Sequence, residues 1–159
     1  MHLADVSARY TDLVETVFSS AIAGKAWLAT GAVVLAGVQV LTASRMWGKL
    51  ERVVPLSFDT ARRIHRWSGR LAFLLTLPVF FHCVTILGFQ TPDARVAAHS
   101  IAGSFVYGVL AAKLLVIRHH SRNYAPWMLP VLGGSLAGVL AALWLTSSLW
   151  YFTNVRFGF

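Results

Sequence analysis

Four long stretches of the chain are almost free of charged side chains, at about residues 26–46, 67–88, 96–118 and 129–151. Each stretch can cross roughly 30 Å of hydrocarbon as an α-helix, because an α-helix rises about 1.5 Å per residue. The polar connections between them are short, so neighbouring helices run antiparallel. The pattern predicts an all-α fold, in which residues 25–155 form one domain built as a membrane four-helix bundle.

Two further helical features are predicted outside the apolar stretches. In residues 3–24 the apolar side chains recur at helical spacing with acidic side chains on the other side. This is typical of an amphipathic helix that lies on the membrane surface or against the bundle, so residues 1–24 form a separate N-terminal segment. The second spanning helix begins well before the membrane, because Pro55 is followed by Ser57 and Asp59, and either side chain can cap a helix.

Composition and charge fit the same class. The 159 residues are 57% hydrophobic and carry a formal net charge of +8. The basic side chains crowd the connections that follow the first and third spans, which indicates membrane orientation rather than nucleic-acid binding. By the positive-inside rule we expect the bacterial cytoplasmic membrane, with both termini on the periplasmic side. Lys113 lies within the third span but near its end, where its stem can carry the ammonium to the lipid headgroups.

The positions of the acidic residues and of the single cysteine argue against several classes of function. All six acidic residues, from Asp5 to Asp93, lie outside the spans, whereas ion-coupled and proton-coupled transporters normally use carboxylates within the membrane. Cys83 is the only cysteine, so the chain has no disulfide framework and no Cys-x-x-Cys-His motif for covalent c-type haem. We interpret Cys83 as a small apolar residue.

Five histidines lie in or next to the second and third spans: His65, His82, His99, His119 and His120. An imidazole in lipid is costly unless it faces the bundle interior and has a partner, so these side chains are the candidate metal ligands. His82 lies near the end of the second span, and His99 lies near the start of the third. In antiparallel neighbours the two reach a similar depth, which predicts one ligand pair.

A second pair is expected at the opposite end of the same helices. There His65 is level with His119 or His120, and about 25 Å of helix separates it from His82. At about 100° per residue, His65 and His82 point roughly 100° apart. His120 is offset by about 60° from His99 and His119 by about 160°, so helical phase favours His120, whereas His119 lies closer to the helix. Both stay open as ligands.

Imidazoles without carboxylates point to haem. Di-iron sites need several glutamates, and zinc hydrolase sites usually add a carboxylate and a water. Two imidazoles can instead fill both axial positions of a b-type haem, which predicts two haem b groups, or one. His65 and His99 open the same pattern, HRWSG and HSIAG, in which Gly69 and Gly103 leave room for a flat ring. Close helix packing is the alternative role of these glycines.

Haem propionates are anionic and favour basic partners. Arg95 lies near the predicted pair of His82 and His99. The basic side chains near the other pair are Arg62, Arg66, Arg70, Arg118 and Arg122. The alternative is that these arginines serve membrane orientation alone.

From Ile64 to Trp150 the chain resembles small bacterial b-type cytochromes of the cytochrome b561 and ferric-reductase-like families. The resemblance rests on HRWSGRLAFLLTLPVFFHC, RVAAHSIAGSFVYGVLAAKLLVIRHH and PWMLPVLGGSLAGVLAALWLTSSLW. It implies haems held by histidine pairs near both membrane faces, and single-electron transfer between those faces. A closed bis-histidine shell suits electron transfer and does not suit oxygen activation.

The resemblance also implies an electron-transfer subunit rather than a stand-alone enzyme. Its expected partners are quinol and a periplasmic iron–sulfur, copper or c-type haem protein, and chemistry on any final substrate is left to such a partner. A second class of function stays open. In that alternative the chain is a haem-free membrane subunit that scaffolds or helps to assemble a respiratory complex, and its histidines serve packing and lipid contact.

Overall fold

The computed structural model describes residues 3–119 and 124–156, and this part of the chain is helical throughout apart from its connections. The helices are α1 (Leu3–Glu15), α2 (Ala21–Met46), α3 (Phe58–His82), α4 (Ala94–Arg118) and α5 (Met128–Trp144). Wider π-helical turns extend α3 through Cys83–Leu87 and α5 through Leu145–Leu149 and Phe152–Arg156. Such turns are uncommon and recur at functional sites.

Four of the helices are long and apolar enough to cross a membrane: Ala21–Met46, Phe58–Leu87, Ala94–Arg118 and Met128–Arg156. Large apolar side chains point outward from them, as lipid-facing side chains do. The buried side chains are mostly small, chiefly alanines, so the helix backbones approach each other closely. The prediction of an all-α membrane four-helix bundle is confirmed.

Short polar side chains set the helix starts. Ser57 caps α3, because its side chain accepts a hydrogen bond from the backbone N–H of Thr60, so it is Ser57 and not Asp59 that fills the predicted cap. The amphipathic segment differs from the single helix predicted over residues 3–24. The helix α1 ends at Glu15, and α2 begins at Ala21 under its own cap, Ser20.

The helix α1 packs against α2 and against the π-helical turn after α3. Tyr10 reaches furthest into the bundle, where its hydroxyl donates a 2.9 Å hydrogen bond to the carbonyl of Pro78. Burial raises the pKa of the Tyr10 phenol above its usual value, so it remains a protonated donor. Gly24 in α2 allows the close approach of α1, because a Cβ there would lie 2.5 Å from Cγ1 of Val14.

The spanning helices form a closed ring in which α2 packs on α3 and α5, and α5 packs on α4. The remaining neighbours, α3 and α4, meet through aromatic side chains. Tyr107 of α4 contacts both Phe73 and Phe80 of α3, with ring centroids 6.3 and 4.5 Å apart. The α3–α4 boundary is therefore filled by flat rings.

Each neighbouring pair of spanning helices is also joined by a hydrogen bond into a threonine hydroxyl. The bonds run from Trp144 Nε1 to Thr30 (2.8 Å), from His65 Nδ1 to Thr42 (3.0 Å), from Tyr107 Oη to Thr76 (3.0 Å) and from His99 Nδ1 to Thr146 (3.0 Å). Every one of these threonines donates its own proton to a carbonyl of its own helix at 2.7 Å. The threonine oxygen is thus the acceptor, and we call each such interhelical bond a threonine clasp.

Gly24→Ala should loosen α1 from the bundle. The added methyl group meets the stiff side chain of Val14, so the two helices must separate. Faster hydrogen exchange of the backbone amides of residues 3–15, measured by mass spectrometry in detergent, is the expected result.

Gly37→Ala is the matched control, because it gains the same helix propensity in the same helix and its Cβ meets nothing within 4 Å. Equal exchange in α1 of the two variants would show that Gly24 does not set the docking of α1.

Candidate functional site

Two cavities lie inside the helix bundle, towards opposite ends. The first has a volume of about 80 Å³ and lies towards the end that carries α1; we call it the His99 cavity. His99, Gly103 and Tyr107 line it from α4, and Cys83 lines it from the π-helical turn after α3. Its wall is otherwise largely apolar, so a polar group on its surface has few partners inside the protein.

The second cavity, which we call the His65 cavity, lies towards the end that carries the α2–α3 connection. Its volume is about 300 Å³, and all four spanning helices contribute to its lining. Gly133 of α5 lies on its wall together with the polar side chains of Gln39, Ser44, Lys49, His65 and Lys113. This cavity is larger, more polar and more basic than the His99 cavity.

The threonine clasps favour one tautomer of the histidine in each cavity. When Thr42 and Thr146 give their protons to carbonyls of their own helices, Nδ1 of His65 and of His99 carries the hydrogen of the shared bond. A neutral imidazole has one N–H and one lone pair, so Nε2 is then the acceptor in both rings. In this arrangement each cavity is lined by one histidine whose Nε2 has a lone pair.

Arg95 is anchored at the same threonine as His99. Its guanidinium donates a 2.7 Å hydrogen bond to the carbonyl of Thr146 and lies 4.4 Å from the ring centroid of Trp150. The carboxylate of Asp93 is 3.8 Å away, so the positive charge is only partly compensated. The structure thus brings Arg95 to the end of the His99 cavity, where a basic side chain is predicted.

The two predicted glycines have different surroundings. Gly103 lines the His99 cavity one turn after His99, and a Cβ there would lie 3.8 Å from Leu143. A Cβ at Gly69 would instead lie 3.1 Å from Oε1 of Gln39. The Gln39 amide fills this space and donates to the carbonyl of His65 and to the hydroxyl of Ser68. Gly69 therefore allows α2 and α3 to approach closely.

His82 is not among the residues that line the His99 cavity. It is buried against the ring of Tyr10, with centroids 5.8 Å apart, and within the described part of the chain its Nδ1 has no hydrogen-bond partner. The next residue, Cys83, does line the cavity, as do Val79 and Phe80 of α3. Cys83 follows His65 by about five full helical turns and so shares its face. Lys25 lies close enough to His82, Cys83 and His99 to interact electrostatically with all three.

His119, one of the two histidines predicted opposite His65, is not on the wall of the His65 cavity. It directly follows α4, and its Nδ1 lies 3.1 Å from the carbonyl of Leu115 in that helix. The other, His120, lies outside the described residues. From α4 the cavity wall receives Ile117 and Lys113, and Lys113 is fourteen residues after His99 and only about 40° away in helical phase. That small offset is a sequence signal for Lys113 as an interior residue.

The predicted basic partners near His65 that the structure describes do not line the cavity, and Arg122 lies outside the described residues. Arg62, Arg66, Arg70 and Arg118 are exposed, and the guanidinium of Arg70 stacks 5.0 Å from the ring centroid of Trp67. The basic side chains that share the cavity wall with His65 are instead Lys49 and Lys113. Lys113 was expected to extend to the headgroups, but its Nζ lies inside the bundle near Gly133.

No group of three or more His, Cys, Asp or Glu side chains converges within residues 3–119 and 124–156, so a metal site built wholly from protein ligands is not found there. A haem iron needs no such cluster, because the porphyrin supplies four of its six ligands.

A helical bundle with four spanning helices, two interior cavities and a threonine-bound imidazole in each defines a multi-pass membrane protein. The chain belongs to the family of unknown function DUF6529, whose sequence profile matches residues 4–159. None of the curated proteins and none of the solved structures matches it.

In the ligand-free protein, Thr146→Val should change the tautomer of His99. Valine cannot accept a hydrogen bond, so it no longer stabilises a proton on Nδ1, and the ring should shift towards the tautomer protonated on Nε2. Nitrogen-15 chemical shifts of labelled histidine, recorded at a pH where the ring is neutral, measure this.

Thr146→Ser is the control, since a serine hydroxyl can accept the same bond. A native His99 that already carries its proton on Nε2 would contradict the assignment.

Proposed function

We propose that the protein is a membrane electron-transfer subunit that binds haem b through His99 and His65. The observation that carries the proposal is the threonine-bound imidazole in each cavity. Histidines that bind metals almost always donate their other ring N–H to a protein acceptor, which fixes the ring and strengthens the ligand. Both rings have that arrangement, with Nε2 as the nitrogen left for iron.

The donor set fits haem better than it fits other metal groups. The interior offers imidazoles, a thiol and amines, and none of the residues on the two cavity walls is acidic. Haem b would supply a one-electron iron couple whose potential depends on its axial ligands and on the surrounding dielectric. The His99 cavity, at about 80 Å³, is smaller than a porphyrin, so binding there requires movement of the aromatic side chains at the α3–α4 boundary.

The proposal also includes a second histidine that would hold each haem together with His99 or His65. Near His99 it is His82, which is supported by its buried Nδ1 without a partner, since such an atom marks a place where a further group can be satisfied. At the other level the proposed partners of His65 are His119 and His120. His119 would have to leave its bond with the carbonyl of Leu115 to reach the iron.

The chain's own residues would hold and orient the haems and set their electrostatic environment. About 25 Å of helix separates His65 from His82, so in this proposal the two haems lie near opposite membrane faces. Arg95, on the carbonyl of Thr146, adds positive charge near His99, where an anionic propionate would be favoured. The wall of the His99 cavity is largely apolar, whereas that of the His65 cavity is polar.

The proposed orientation follows from the distribution of charge. Exposed arginines crowd the start of α3, and Arg118 ends α4 at the same end of the bundle. By the positive-inside rule that end faces the cytoplasm of a bacterial cell and both termini face the periplasm. The proposed partners are quinol and a periplasmic iron–sulfur, copper or c-type haem protein.

A haem-free structural or assembly subunit is the second candidate. The observation in its favour is that Trp144 and Tyr107 make threonine clasps of the same kind, although neither is a haem ligand of ordinary type. The clasps of His65 and His99 could then serve helix association alone.

Haem content distinguishes the two candidates. Protein purified from haem-replete cells should show a reducible b-type spectrum and a haem b signal in the pyridine haemochrome assay. His99→Asn should lose about half of a two-haem complement, or all of a single haem, because an asparagine amide can still donate to Thr146 but is a poor ligand. His65→Asn makes the same test at the other level.

Thr30→Val is the matched control, since it breaks the threonine clasp of Trp144 without removing an imidazole or a side chain that lines either cavity. Its haem content should stay at the native level. A folded, colourless native protein that takes up no haem on reconstitution would leave the structural subunit as the remaining candidate.

A further inference from the structure

The His65 cavity contains a polar layer inside an otherwise apolar bundle. Gln39 of α2, His65 of α3 and Lys113 of α4 each bring one polar side chain to its wall, and Gly133 of α5 leaves space beside them. Each of these positions lies about five to seven residues from its helix end, which is roughly 7–11 Å into the bundle. The layer is therefore recessed from the end of the bundle.

Lys113 is the residue that most needs a partner. Its Nζ would lie 3.8 Å from a Cβ placed at Gly133, so the ammonium lies against the backbone of α5. Within the described residues, Lys113 makes no ion pair and no side-chain hydrogen bond. It lies close enough to another base, His65, for the two to interact electrostatically. A lysine inside a membrane bundle normally has a counter-charge.

The protein does not provide that counter-charge from the cavity wall. Lys49 adds a second ammonium at the cavity, and no acidic residue lines it. Glu51, in the connection that follows α2, is bound by Arg45 at 2.9 Å. The cavity thus presents two lysines, whose ammonium groups are donors suited to an anion.

We propose that the His65 cavity binds the oxyanion of an amphiphilic molecule, with Lys113 as its counter-ion and Lys49 as a second contact. An ammonium forms strong, charge-assisted hydrogen bonds with carboxylate and phosphate oxygens alike. Apolar side chains of α2, α4 and α5, such as Val40, Ile117 and Leu129, form the rest of the wall and suit an apolar body. This site is separate from the haem proposal, because it requires the anion and not the iron.

Two sources of such an oxyanion are distinguished by experiment. One is the phosphate of an anionic phospholipid, and the other is the propionate of a haem. The lipid arm uses native mass spectrometry of the full chain released from phosphatidylcholine nanodiscs that contain phosphatidylglycerol. The haem arm measures the rate at which bound haem, where present, transfers to apomyoglobin.

Lys113→Met should lower the amount of retained phosphatidylglycerol about tenfold in the lipid experiment, or raise the rate of haem loss about tenfold in the haem experiment. This is the size of effect expected for loss of a hydrogen bond to a charged group. Lys113→Arg should retain most of the native value, because the charge is kept. Arg118→Gln removes a charge from the exposed end of the same helix and should behave as native.

The proposal is overturned if Lys113→Met matches Arg118→Gln in both arms. An effect on lipid in a protein that binds no haem supports this site while the haem function fails. Unchanged lipid with faster haem loss supports the site with the propionate as its anion.

Discussion

The bundle depends on one constraint, which is that hydrocarbon offers no hydrogen-bond partner and every polar group inside it must be satisfied by the protein. Helices satisfy the backbone. The side chains that join neighbouring helices use threonine, and each threonine first gives its proton to its own helix. The remaining oxygen can only accept, so its partner must be a donor. Interhelical bonds of this kind contribute about 0.6 kcal/mol each on average in membranes, which makes four of them a modest supplement to close packing of small side chains.

The distribution of the threonine clasps explains why the two cavities differ. Thr76, Tyr107, His99 and Trp144 all take part in clasps and all line the His99 cavity, so three clasps fix its wall and it is small. The His65 cavity has one clasp, supported by the amide of Gln39. Fewer fixed contacts cross the bundle at that level, and the space is several times larger. The same difference leaves more room for a ligand in the His65 cavity than in the His99 cavity.

Hydropathy and capping signals were enough to predict the four spans, their antiparallel order and a helix start at Ser57 or Asp59, because these depend on local composition and on the thickness of a bilayer. The structure decides for Ser57. It was harder to predict which side chains of each helix point into the bundle. His82 and His99 share a depth, but Cys83 shares the interior face of His65, and a single residue of helix rotates a side chain by about 100°. Lys113 could have been found from its phase with His99. Its inward direction depends on the space beside Gly133, which only tertiary packing reveals.

The threonine partners were missed for a related reason. A threonine in a span is chemically unremarkable, and its bond to the preceding turn satisfies it locally. It accepts a hydrogen bond from a second helix only where that helix has a donor at the same depth in the membrane. This depends on how the two helices are shifted along their axes relative to each other. No pattern within one helix carries that information, so the pairing of Thr42 with His65 and of Thr146 with His99 needed the structure.

The choice of histidine for two of the four clasps is the strongest argument for a ligand. Tryptophan provides only a donor, so the bond of Trp144 to Thr30 leaves nothing unsatisfied. Histidine at the equivalent position has a second nitrogen, Nε2, that can act as an acceptor, and both histidines line a cavity. A clasp that served helix association alone would need only a donor. The second nitrogen gives each of these cavities a lone pair to which a further group can bind.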